Sequence, residues 1–132
     1  MTGFRSSALR HNCPVHGCFI DSLPLWDDIA GCFSGGARPT DIDAMVEIGG
    51  QFLFIEQKRA GVYLPDGQRK ALQRLADVGA GRITVTVLRD VTDNPDAFDV
   101  LTFPEPRGFE RMQRSVVLDG FRLWDADARG AS

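Results

Sequence analysis

Hydrophobic and polar positions alternate most regularly between Ala44 and Lys58, in Ala-Met-Val-Glu-Ile, then Gly49-Gly50, then Gln-Phe-Leu-Phe-Ile-Glu-Gln-Lys. Two alternating runs about a glycine pair predict a β-hairpin. Taking the glycines as the loop, Ile48 faces Gln51, Val46 faces Leu53, Ala44 faces Ile55 and Asp43 faces Glu56. Directly opposed residues project to one side of an antiparallel pair. One face therefore carries Asp41, Asp43, Met45 and Glu47 with Phe52, Phe54, Glu56 and Lys58. The other carries Ala44, Val46, Leu53 and Ile55, which reads as the core face.

The pattern changes period after the hairpin. Pro65-Asp66-Gly67 is a turn able to start a helix, and Ala71, Leu72, Leu75 and Ala76 then recur at helical spacing, predicting a helix from Gln68 to Val78. Arg82 to Arg89 alternates β-branched residues and predicts a strand. A helix between two strands is a βαβ unit. Phe98 to Phe103 reads as a further strand. Arg111 to Trp124 admits a small hairpin about Asp119-Gly120 or a strand under the core, and residues 126–132 read as a loose tail. Residues 1–22 read as an irregular arm, followed by a short helix over Leu25 to Phe33. The expected architecture is one α/β domain over residues 1–132, with a mixed central sheet flanked by helices.

The hairpin concentrates chemistry on one face. Like charges facing each other destabilise a sheet, and one of two crowded carboxyls tends to keep its proton. A divalent cation relieves that conflict, because hard cations prefer oxygen ligands. Lys58 sits diagonally from Asp43 and opposite Asp41, where it serves either a phosphate and water beside the cation or a surface ion pair with Asp41 and Asp43. Gln68 shares the inward face of its helix with Ala71 and Leu72, so its amide needs a polar partner. Arg69, Lys70 and Arg74 fall on the outward side and, with Lys58 and Arg59, form a basic patch.

Asp43, followed thirteen residues later by Glu56-Gln57-Lys58 at the end of a hydrophobic strand, resembles the PD-(D/E)XK nuclease superfamily, in particular its RecB-type branch. Pro39-Thr40-Asp41-Ile42-Asp43 is also similar in wording to small phage and prophage members. The resemblance spans Arg38 to about Val78. It implies a restriction-endonuclease-like fold and magnesium or manganese held by Asp43, Glu56 and the backbone carbonyl of Gln57. It further implies that Lys58 assists the attacking water and that Gln68 is the glutamine opening the following helix. The basic patch of Arg59, Arg69, Lys70 and Arg74 reads either as a solvated helix face or, from its position next to the acids, as a DNA phosphate contact. The implied activity is hydrolysis of DNA phosphodiester bonds with little sequence specificity, on duplex or branched substrates, by a possible homodimer. Two departures stand out. Pro39 precedes Asp43 by four residues, so Asp41 is an alternative first ligand, and the acid that relatives supply from an earlier helix has Asp27 and Asp28 as candidates. Both of those acids also suit the helix N-terminal dipole after Pro24.

Composition narrows the remaining choices. The chain has 132 residues, 43% hydrophobic and 25% charged, ample for one core. A net charge of −3 counts against tight nonspecific DNA binding by bulk charge and calls for a local basic surface and metal-bridged contacts. No run approaches the roughly 20 apolar residues of a membrane span, and the first residues lack a signal-peptide core, so a cytoplasmic location without a membrane partner is expected. The three cysteines suit reduced thiols or a structural zinc at Cys13, His16, Cys18 and Cys32, with His11 as a substitute for His16; Cys32 also suits a core position. The competing functional reading is a noncatalytic nucleic-acid- or protein-binding module that retains the fold, with Phe19, Trp26 and Phe33 facing a partner.

Overall fold

The computed structural model describes residues 23–40, 42–104 and 107–131. They fall into two compact units, one ending at Asp41 and one spanning Ile42–Ser132. The first contributes α1 (Leu23–Ala30), two residues ahead of the helix expected at Leu25. Asp27 and Asp28 lie beyond its first turn, so neither is placed as a dipole partner at the helix start. Cys32 is exposed rather than a core residue, and its thiol donates to the carbonyl of Asp28 at 3.5 Å. Cys13, His16, Cys18, His11 and the rest of the N-terminal arm lie outside the described residues, as does Asp41.

The second unit is an α/β arrangement built on β1 (Ala44–Ile48), β2 (Gln51–Lys58), α2 (Asp66–Val78), β3 (Ile83–Val91), β4 (Asn94–Phe103), β5 (Glu110–Gln113) and α3 (Arg114–Ala131). The strands form one five-stranded sheet in the order β1-β2-β3-β4-β5. β2 and β3 run parallel and are joined through α2, whereas the other neighbours are antiparallel, so the sheet is mixed. The first hairpin has the register expected from its sequence, with Ala44 opposite Ile55 and Ile48 opposite Gln51. Gly49 and Gly50 have φ of 57° and 85°, which only a residue without Cβ adopts freely, and the twist of such a turn matches that of the strands. The side chain of Glu47 accepts from the Gly50 N–H at 2.8 Å and closes the turn.

Helix α2 covers the face that carries Phe54, Val85, Val87, Leu101 and Phe103. Leu64, Leu72 and Ala76 complete that core, and Leu75, Ile83 and Phe109 pack at its margin. Each fully buried side chain of this kind contributes about 1.5–3 kcal/mol. The face assigned to the core in the hairpin is covered as well, by α3, with Leu53, Val100 and Val117 buried there, so the sheet is packed on both faces. Val46 on that face is exposed, however, and the face bearing the acids leads into the main core. A parallel pair needs a crossover helix lying on one face, and α2 lies on the face that Glu56 shares.

The C-terminal region also departs from expectation. Neither a hairpin about Asp119-Gly120 nor a loose tail is present, because α3 continues from Arg114 to Ala131. Val117, Phe121, Trp124 and Ala128 recur at helical spacing and turn inward, with Val117 and Ala128 buried. The helix packs against β4, β5 and β1. Between it and the sheet lies a cavity of about 220 Å³ floored by Thr84, Thr86 and Thr102. At the other end of α2, Gly79 lies so close to Ile83 that an added Cβ would sit 2.5 Å from Ile83 Cγ1. Among the described residues no helix is long and apolar enough to cross a membrane.

Candidate active site

The ladder between β1 and β2 stops at Ala44, yet the chain remains beside β2 for one more residue. There the Asp43 carboxylate takes over the role of a strand carbonyl, its Oδ2 accepting the Gln57 backbone N–H at 2.7 Å. That bond holds Asp43 where the hairpin register sets it, opposite Glu56. Asp43 is exposed, whereas Glu56 is only 6% exposed. Glu56 occupies the last inward position of β2 before Lys58, beside Val87 of β3.

Gln68, in the first turn of α2, reaches down to the sheet and donates its side-chain amide to Glu56 Oε2. The helix therefore satisfies one oxygen of a carboxyl that its own apolar residues help to bury. Burial, then a hydrogen bond with the Asp43 carboxyl and the charge of that group, raise the Glu56 pKa against the opposing pull of Lys58 and Gln68, and the balance is a value of about 7. Burial and the second acid outweigh the two favourable neighbours. Near neutral pH Glu56 is protonated for much of the time.

Lys58 closes β2 in a half-buried position and makes no ion pair within 4 Å among the described residues. Its charge is felt by Glu56, while the alternative ion pair with Asp41 lies outside the described residues. Asp43, Glu56, Lys58 and Gln68 are thus brought together from β1, β2 and α2. Gln57 points elsewhere: its side chain donates to Asp90 Oδ1 at 3.0 Å, across a cleft of about 550 Å³ lined also by Asn94 and Arg114. Arg59 is exposed just beyond the strand. Arg69, Lys70 and Arg74 share a shallow surface with Asp66 and Asp77, so three cations there face two carboxylates.

Among the described residues no group of three or more Asp, Glu, His or Cys side chains is arranged to hold a metal. The donor chemistry of Asp43 and Glu56 nevertheless fits a hard cation: two carboxyls meet at the point where the sheet ends, one exposed and the other buried with its pKa raised.

One charged row escaped the sequence reading. Lys58, Arg89, Asp99 and Arg111 are successive partners across β2, β3, β4 and β5, one step beyond Glu56 on the same face. Arg111 Nε contacts Asp99 Oδ1 at 2.9 Å, and Arg89 approaches its other oxygen at 3.6 Å while lying 3.9 Å over the Phe109 ring. The hydrogen bond from Arg111, aided by Arg89, holds the Asp99 carboxyl below its usual range. No local pattern marks this row, since it exists only once three strand registers are known.

No protein-family profile matches the chain, and no curated protein or solved structure matches it.

Proposed function

We propose that the protein is a metal-dependent nuclease that hydrolyses DNA phosphodiester bonds, built on a restriction-endonuclease-like version of its α/β fold with a PD-(D/E)XK site. The observation that carries this reading is the meeting of Asp43, Glu56 and Lys58 at the end of β2, with the Gln68 amide on the buried carboxylate. An ordinary surface ion pair has no need of two carboxyls side by side, and a core has no need of either. Asp43 and Glu56 would hold magnesium or manganese, with the Gln57 carbonyl as the further ligand that the resemblance implies. When bound, such an ion supplies Lewis-acid polarisation of the phosphodiester and acidifies water. Lys58 orients the attacking water and balances negative charge growing on the phosphate. Gln68 fixes the rotamer of Glu56, and Arg59, Arg69, Lys70 and Arg74 steady the DNA backbone. Every one of these contacts is directed at phosphate, so sequence specificity is low.

A second reading, a noncatalytic binding module of the same fold, draws support from the lack of a third acid in the described cluster and from the net charge of −3. One experiment separates the two. Supercoiled, linear, single-stranded and branched DNA are incubated with the protein and magnesium, manganese or chelator, beside Lys58→Ala. Cleavage abolished by both chelator and substitution supports the nuclease; absence of cleavage at micromolar protein in every condition supports the binding module.

A further inference from the structure

We propose that the loop joining β2 to α2 is a nucleobase platform, on which Tyr63 stacks with an unpaired base of the DNA strand whose phosphate lies at Asp43 and Glu56. The proposal rests on the nuclease reading and names its substrate class: DNA with a single-stranded overhang, flap or fork. The loop leaves β2 directly after Lys58 and enters α2 two residues before Gln68, so both of its ends lie at the acid pair. It is also anchored. The Val62 N–H bonds the Arg59 carbonyl at 3.1 Å, Gly61 turns the chain with φ of 81°, and Leu64 is only 7% exposed within the core under α2. Holding Leu64 inward leaves its neighbour Tyr63, the one tyrosine of the chain, 74% exposed, with Val62 exposed beside it.

A single exposed aromatic ring is common on a protein surface. This one differs in being flanked on both sides by groups suited to phosphate. Lys58 and Arg59 precede it, and Arg69 and Lys70 follow it in α2. On its other side, Ala60 and Gly61 form one wall of a cleft of about 330 Å³ whose lining includes Arg89 and Arg111, together with Asp90 and Asp99. A backbone bound along these cations passes over the loop tip. In a duplex the base faces are already stacked and out of reach, so only a splayed or unpaired base offers its face to the ring. Stacking is tolerant of base identity, which agrees with a site whose other contacts are all to phosphate.

The test measures binding by fluorescence anisotropy in chelator, so that cleavage plays no part. Labelled single-stranded, forked and blunt duplex oligonucleotides are titrated with the full chain and with Tyr63→Ala, Tyr63→Phe and Tyr63→Trp. Tyr63→Ala is expected to weaken single-strand and fork binding about tenfold and blunt-duplex binding less than twofold. Tyr63→Phe and Tyr63→Trp should retain wild-type affinity, and the additional indole emission of the last variant should be quenched by single strands. Equal weakening on all DNAs, no weakening, or no single-strand binding by the wild type would each overturn the platform, whatever the cleavage assay gives. Tyr63-dependent binding in a protein that cleaves nothing keeps the platform and removes the nuclease reading.

Discussion

Two charged clusters lie one step apart on the same sheet face and are balanced in opposite ways. In one, Asp99 sits between Arg89 and Arg111, and its carboxyl is held below the usual range. In the other, Glu56 faces Asp43 with a single lysine nearby, and its pKa is driven up to about 7. The first arrangement joins β3, β4 and β5 and gives its one carboxylate two cationic partners. The second leaves one carboxyl in conflict, and tolerates it only because Gln68 and the Gln57 N–H share the load. Strain of this electrostatic kind is what distinguishes a chemical site from a structural bridge.

The sharpest way to break the contrast is to neutralise each cluster in turn. Glu56→Gln and Lys58→Ala should each lower DNA cleavage by about a thousandfold or more, measured as single-turnover rates in magnesium. Glu56→Gln should at the same time leave the melting temperature in chelator undiminished at neutral pH, because it removes a conflict. A large loss of stability would show Glu56 to be structural.

The acid pair should also reveal itself through pH. A carboxyl whose folded pKa lies above its unfolded value favours the folded state in its protonated form. That contribution is present below about 4.5 and is lost as pH rises toward 7. Compared with Glu56→Gln, wild-type protein in chelator should lose about 1–2 kcal/mol across this window, after allowance for solvent screening, as read from urea unfolding. Magnesium should restore the loss.

Asp99 has the reverse sign. Its lowered pKa gives stability that is present above the unfolded value and disappears as pH falls through the folded one. Asp99→Asn should destabilise the protein by about 1 kcal/mol at neutral pH, discounted for partial exposure, and by less in acid. Equal effects at both pH values would mean that charge is not its contribution.

The smallest expected change refines the role of Gln68. Replacing it with alanine removes the donor to Glu56, so the carboxyl should titrate at a still higher pH and cleavage should fall about tenfold. An unchanged pH–rate profile would reduce Gln68 to a packing residue.

Much of the acid cluster was legible because its determinants are local. Gly49-Gly50 fixes the turn, strict alternation fixes the faces, and together they bring position 43 opposite position 56. Gln68 followed from helical spacing on the next element. The Arg89–Asp99–Arg111 row was hidden because it depends on pairings between strands distant in sequence. The last helix was hidden for another reason. Val116-Val117-Leu118 has β-forming character and Asp119-Gly120 imitates a turn, yet burial of Val117, Phe121, Trp124 and Ala128 against the sheet outweighs these local preferences. The second core face, the one bearing the acids, was missed because alternation separates two sides of a strand without saying that helices will cover both.

The tight seat of Gly79 on Ile83 gives the far end of α2 a hold over the chemistry. From there to Gln68 the helix runs about 16 Å at 1.5 Å per residue, as a stiff rod. Any methyl group added at Gly79 must push the rod or the strand aside. The displacement would be felt at the opposite tip, where an amide has to meet a carboxylate within a few tenths of an ångström. A silent-looking glycine at the far end of the helix from the acid pair therefore acts as the adjusting screw of the site.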